Sequence, residues 1–147
     1  MADIDRCSAE YLPQWVALRF DLWPGEDQAS MAAEAPAILA HPDRLVLVAR
    51  EAGTVIGFAE ASIRRDHVNG CETSPVAFIE GLYVKPEHRR RGIARALIGA
   101  IESWAREQGL KELASDALLD NLRSHAMHQA LGLSETERVV YFRKALT

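Results

Sequence analysis

The sequence predicts a mixed α/β domain built around one sheet, and three observations carry that expectation. Short runs of β-branched and apolar residues alternate with stretches whose apolar residues recur every three or four positions, the periods that strands and helices impose. The inferred order is a strand, two helices, three strands, a helix, a strand, a helix and a closing strand, which fits neither an all-helical nor an all-strand protein. The chain has 147 residues, enough to bury a core without disulfide or metal staples, so a single domain over 1–147 is expected.

A short strand is expected around Ile4. Tyr11, Trp15, Leu18 and Leu22 then fall at helical spacing, and "WPGED" stops that helix. "QASMAAEAPAILA" reads as a second helix, with a bend or break at Pro36 because proline has no N–H to donate. "RLVLVAR" and "TVIGFAEASIRR" read as antiparallel strands joined by an "EAG" hairpin. "DHVNGCETSP" has turn chemistry throughout and reads as a surface loop. The long strand "VAFIEGLYV" follows, and Gly81 within it predicts a bulge or a close approach by ligand backbone. Next, Ile93, Leu97, Ile101 and Trp104 form one helical stripe beside Ala94, Ile98 and Ala105, until Gly109 ends it. "KELASDAL" supplies a further strand, "NLRSHAMHQALGL" a helix and "ERVVYFRKAL" a final strand.

Hydrophobic residues make up 48% and charged residues 26%, the balance of an ordinary globule rather than a disordered chain. No apolar run approaches membrane-spanning length and "MADIDRCSAE" lacks the pattern of an export signal, so a cytoplasmic protein without membrane partners is expected. Cys7 and Cys71 stand apart, which suggests neither a zinc knuckle nor a redox pair. Charge is unevenly placed. Against a net charge of -4, the segment Lys85–Lys111 carries seven Lys/Arg and three acids, leaving -8 for the remainder. One basic segment suits an anion, and the acidic remainder suits a cation.

The basic segment opens with "VKPEHRRRGIARAL", a strand end, a tight loop and a helix that starts at glycine. The first N–H groups of a helix have no partner within it and converge, with the positive end of the dipole, on whatever sits there. Gly92 lets a phosphate approach the backbone, and Arg89, Arg90 and Arg91 add attraction. The pattern is neither G-x-x-x-x-G-K-[ST] nor G-x-G-x-x-G. It resembles the [Arg/Gln]-x-x-Gly-x-[Gly/Ala] signature of the GCN5-related N-acetyltransferases, on Arg89, Gly92 and Ala94, and the resemblance continues through "ASDALLDNLRSHAMHQALGL" and "VVYFRK".

That resemblance implies a mixed, mostly antiparallel sheet with a splayed parallel strand pair, flanked by helices, and acetyl-CoA as co-substrate without a metal. It implies that Leu82, Tyr83 and Val84 pair with the pantetheine arm, that Arg89, Arg90, Arg91, Gly92, Ile93, Ala94 and Arg95 cradle the pyrophosphate, and that Asn121 contacts the pantetheine. Acetyl transfer needs a neutral amine, a donor for the oxyanion and a proton for the leaving thiolate. A backbone N–H near Val84 is the candidate oxyanion donor and Tyr141 the candidate acid, although Tyr141 also reads as a strand aromatic in a core.

Within that family the chain is most similar to the aminoglycoside 6'-N-acetyltransferases, on "LRFDLWPG", "IGFAEASIRRDHVNGCETSPVAFIEGLYV", "ELASDALLDN" and "ETERVVYFRK". The implied activity is direct transfer of acetyl to the drug's 6'-amino group in a ternary complex, an antibiotic-resistance function. The implied pocket is Trp23, His67, Glu80, Asp116 and Glu137, with Glu80 and Asp116 as catalytic candidates beside Tyr141. Glu80, or a water it holds, would help remove a proton from the reacting ammonium, and a homodimer is implied. Carboxylates suit a polycationic antibiotic, and Trp23 offers a flat face to a sugar. His67 stands where that group commonly has tyrosine. Each acid also has a plainer reading, Glu80 and Glu137 as solvent-facing strand residues and Asp116 as a turn or cap residue. His125 and His128 share a helix without a third ligand at suitable spacing. Two alternatives remain: an acetyltransferase for a polyamine, metabolite or protein lysine, and a nucleic-acid-binding module using Arg89–Arg91. One basic loop on an acidic chain disfavours nucleic acid.

Overall fold

The structure, a computed structural model, describes residues 2–147. The chain forms two compact units, one ending at Ser115 and the other spanning Asp116–Thr147. The first holds a five-stranded sheet whose spatial order follows the sequence: β1 (Asp3–Arg6), β2 (Arg44–Glu51), β3 (Thr54–Arg64), β4 (Val76–Val84) and β5 (Leu113–Ala114). Neighbours are antiparallel except β4 and β5, which run parallel. Three helices, α1 (Leu12–Leu22), α2 (Gln28–Ala40) and α3 (Ile93–Glu107), pack on this sheet.

Both faces of β2 and β3 are buried, so their sequences read as continuous apolar runs rather than alternations. On one face Val46, Val48, Val55 and Phe58 pack with Trp15, Val16 and Leu18 of α1 and Ala35 of α2. The intervening Leu45, Leu47, Ala49, Ala59 and Ala61 are buried as well and point the other way, while α3 packs against β2, β3 and β4. The striped face of α3 buries Ile93, Leu97, Ile98, Ile101, Trp104 and Ala105, as its spacing requires. Gly109, at φ +76, closes that helix with paired bonds from Gly109 N–H to Arg106 and from Leu110 N–H to Ala105.

Of the bend or break expected at Pro36, the break does not occur: α2 runs through it without ending. Pro36 lies on the exposed face of α2, so water can take the carbonyl bond that the missing N–H leaves open. β5 is only two residues long where "KELASDAL" suggested a full strand. Both cysteines are free thiols. Burial, with the nearby Glu60 charge, pushes the Cys7 thiol up to about 11, so it is inert at neutral pH.

The second unit contains α4 (Leu122–Ala130), capped by Asn121, whose side chain accepts from Ser124 N–H at 3.2 Å. Gly132, at φ +93, ends it through bonds from Gly132 N–H to Gln129 and from Leu133 N–H to His128. The expected final strand over "ERVVYFRKAL" does not form. Strand propensity is realised only when a neighbouring strand supplies the ladder, and residues 134–147 pair with none among the described residues. Tyr141 and Phe142 are accordingly 84% and 92% exposed, with Val140 and Leu146 also open to solvent.

Candidate active site

A 3-10 turn over Pro86–His88 leads from β4 into the basic loop. Arg90 and Gly92 both take positive φ, 63° and 80°, so the loop is tightly curled before α3 begins. The first helical bond runs from Ala96 N–H to Gly92, and the N–H groups that precede it point out of the helix's N-terminus. No side chain caps this end. Two of the three arginines serve the loop itself. Arg89 Nε donates to the Val84 carbonyl at 2.8 Å, with its guanidinium 5.5 Å from the Tyr83 ring centre. Arg91 pairs with Glu51 and contacts His88 Nδ1 at 2.9 Å. The fold thus presents backbone donors and a helix dipole to an anion, with the arginines fixing the turn.

Beside this loop the sheet opens. β4 pairs with β3 along its length, but with β5 only at Ala77–Leu113 and Phe78–Ala114. Among the described residues no strand pairs with the β5-facing edge of Ile79–Val84, and its backbone can pair with an extended ligand.

The same strand forms the floor of an acidic pocket. Glu60 of β3 pairs with Gly81, and Ala61 with Ile79, so Glu80 is an extra residue in β4. The bulge turns both Glu80 and Gly81 toward α1. Glu80 accepts from Ser62 Oγ at 2.5 Å and from Arg64 at 2.9 and 3.0 Å. Burial raises its carboxyl, but the hydrogen bonds from Arg64 and Ser62 and the charges of Arg64 and Arg44 outweigh that and hold it below the ordinary carboxylate range. Trp23, at the end of α1, lies across Gly81: a Cβ there would stand 2.7 and 2.9 Å from two ring atoms of the tryptophan. Phe58 meets Trp23 edge-on at 6.3 Å and Tyr83 at 6.4 Å. The cavity above this floor is about 320 Å³, and carboxylates outnumber guanidiniums in its lining five to two. On its rim Asp27 caps α2, and hydrogen bonds from the Ser30 hydroxyl and N–H hold its carboxyl low.

A family model described as "Acetyltransferase (GNAT) family" matches residues 8–133. The chain belongs to that family. It is 44% identical over 142 residues to aminoglycoside N(6')-acetyltransferase type 1 of Salmonella typhimurium, covering 97% of this chain and 98% of that one. To the protein of the same name from Acinetobacter genomosp. 13 it is 51% identical over 138 residues, covering 93% and 94%. The solved structure of AAC(6')-Iy with the bisubstrate analog CoA-S-monomethyl-acetylneamine superposes with a TM-score of 0.94 at 43% identity, over 99% of both chains.

In this GNAT protein the structure brings Trp23 and Glu80 together in one pocket and joins them, through β4, to Leu82–Val84 and the Arg89–Arg95 loop. His67 is exposed on the loop between β3 and β4. That loop is pinned by Glu112, which accepts from Glu72 N–H at 2.9 Å and from the Thr73 N–H and hydroxyl at 2.6 and 2.5 Å. Asp116, Asn121, Glu137 and Tyr141 belong to the second unit, where Asp116 and Glu137 are exposed and Asn121 caps α4. His125 and His128 face the Leu118 and Ser124 carbonyls, and no group of three potential metal ligands occurs among the described residues.

Sequence reasoning missed the charged groups under the pocket. Glu60 is fully buried and accepts from Trp15 Nε1 at 3.1 Å, Arg19 Nε at 2.7 Å and Arg44 Nη2 at 3.4 Å. Burial pushes its carboxyl up, against the charge and hydrogen bond of Arg19, the bond from Trp15 and the charge of Arg44. Two signals were available: a lone carboxylate inside the apolar run "VIGFAEAS", and Trp15, Arg19 and Trp23 spaced four apart on one helical face.

Proposed function

We propose that the chain transfers an acetyl group from acetyl-CoA to the 6'-amino group of aminoglycosides, by direct attack in a ternary complex, and thereby confers resistance. The observation that carries this reading is the continuity of β4. Its bulge supplies Glu80 and Gly81 to an acidic pocket, its open edge follows at Leu82–Val84, and the anion-binding turn begins at Lys85. A cationic acceptor and an anionic donor therefore meet within a few residues of one strand. The resemblance to aminoglycoside N(6')-acetyltransferases over nearly the whole chain supports the same substrate class.

In this reading the N–H groups around Gly92, Ile93, Ala94 and Arg95 hold the pyrophosphate, and the Leu82–Val84 backbone holds the pantetheine and polarises the thioester. Glu80, kept ionised by Arg64 and Ser62, fixes the ammonium, and the proton leaves through water before the free amine attacks. The tetrahedral intermediate collapses with loss of the thiolate, which Tyr141 protonates. Trp23 lies against a sugar ring, while His67, Asp116 and Glu137 supply further contacts. The family match runs across both units, which supports reading 1–147 as one acetyltransferase domain. A homodimer would cover the exposed Val140, Phe142 and Leu146, which supports a second chain at that surface. No helix among the described residues is long and apolar enough to cross a membrane, and use of acetyl-CoA fits the cytoplasm.

The test is thiol release from acetyl-CoA with paired 6'-amino and 6'-hydroxy aminoglycosides. Release confined to the 6'-amino members is expected. Release with polyamines or lysine peptides alone would move the site to another amine, and silence throughout would overturn the reading.

A further inference from the structure

Glu60 is an anomaly on its face of the sheet: a carboxylate with no solvent exposure among Phe58, Val46 and Val48. A buried ion pair is a weak source of stability, since apolar residues of similar volume often serve the fold as well or better. Its presence there calls for something that hydrocarbon cannot do. The guanidinium of Arg19 lies on the carboxylate of Glu60 through Nε at 2.7 Å and Nη2 at 3.5 Å, and its Nη1 reaches Glu34 of α2 at 3.0 Å. That three-point grip fixes the guanidinium plane. Its carbon stands 5.3 Å from the ring centres of both Trp15 and Trp23. Trp15 is itself tied to Glu60, whereas Trp23 is partly exposed in the substrate pocket and rests on Gly81 beside Glu80.

We propose that Arg19, locked by Glu60 and Glu34, is a positioning residue that sets the plane of Trp23 against the bulge, and so sets the wall on which the acceptor lies. The charge pair converts the rigidity of the sheet into the orientation of a half-exposed ring. Hydrocarbon in its place would pack without fixing a direction. The substrate part of this inference rests on the aminoglycoside reading, whereas the placement of Trp23 does not.

The test compares the parent with the double variant Arg19→Met/Glu60→Leu, which removes both charges at the cost of one partner each for Glu34, Arg44 and Trp15 Nε1, and with Arg19→Lys, which keeps the charge and the Glu34 and Glu60 carboxylates and loses the plane. Thermal denaturation should find the double variant folded. KM for a 6'-amino aminoglycoside should rise at least about tenfold in the double variant and by less in Arg19→Lys, with KM for acetyl-CoA unchanged. In 5-fluorotryptophan-labelled protein, the fluorine line of Trp23, assigned with Trp23→Phe, should shift or broaden in both variants. An unmoved Trp23 line overturns the proposal, as does a moved line with unchanged aminoglycoside KM in an active parent. An inactive parent overturns the aminoglycoside reading instead, and the fluorine line still decides whether Arg19 positions Trp23. If the double variant fails to fold, Arg19→Lys decides on the same two readouts.

Discussion

The anion end and the cation end of this site are made from different parts of the chain's chemistry. At the turn into α3 the available donors are backbone N–H groups, and the arginines Arg89 and Arg91 are spent on Val84 and Glu51. In the pocket the groups are side-chain carboxylates, held in place by guanidiniums and an aromatic ring. The first site is fixed by backbone conformation and fails through strain. The second is fixed by packing and fails through displacement. Substitution of an exposed loop side chain such as Arg91 should therefore be tolerated, whereas changes at Gly92 or in the pocket should be felt more strongly.

Gly81→Val puts the largest load on that contrast. Its Cβ would stand 2.7 Å from the Trp23 ring, so the ring must leave the bulge. We expect KM for a 6'-amino aminoglycoside to rise about 100-fold, with acetyl-CoA affinity by calorimetry unchanged. Equal losses for both ligands would show that the two sites are not separable. Gly92→Val loads the other end. Nothing crowds a Cβ at Gly92, but φ +80 is strained for a branched residue. The cost of about 1–2 kcal/mol should weaken acetyl-CoA binding about tenfold, while the aminoglycoside KM stays near that of the parent. Smallest is Arg91→Ala. Its pair with Glu51 is solvent-exposed, and such pairs contribute about 1 kcal/mol or less. A change in acetyl-CoA affinity within about fivefold is expected, and a larger loss would mean that Arg91 touches the ligand directly.

Much of the anion end was legible in the sequence because it is local. Arg89, Gly92 and Ala94 lie within six consecutive positions, and the stripe from Ile93 to Trp104 announces the helix that supplies the donors. Gly81 likewise announced a bulge, and the register shift beside it is present. The cation end was half legible. The sequence pointed to Trp23 and Glu80, which line one pocket, but Glu60 and Arg19 are partners across 41 positions, and periodicity reports which face a residue takes rather than what it meets there. The shortness of β5 and the missing closing strand share one cause. "ERVVYFRKAL" has all the propensity of a strand, but a ladder belongs to two segments and cannot be read from one.

The bulge in β4 has an evolutionary consequence. Ala61 faces Ile79 and Glu60 faces Gly81, so the hydrogen-bonded ladder already closes over position 80 as though that residue were absent. Loss of its one codon would leave every other side chain of the sheet on its present face, the opposite of what a deletion does in a regular strand. The carboxylate at the heart of the pocket is thus supernumerary to the architecture. One of the five carboxylates lining the pocket can therefore be gained or lost in a single genetic step, without redesigning the sheet around it.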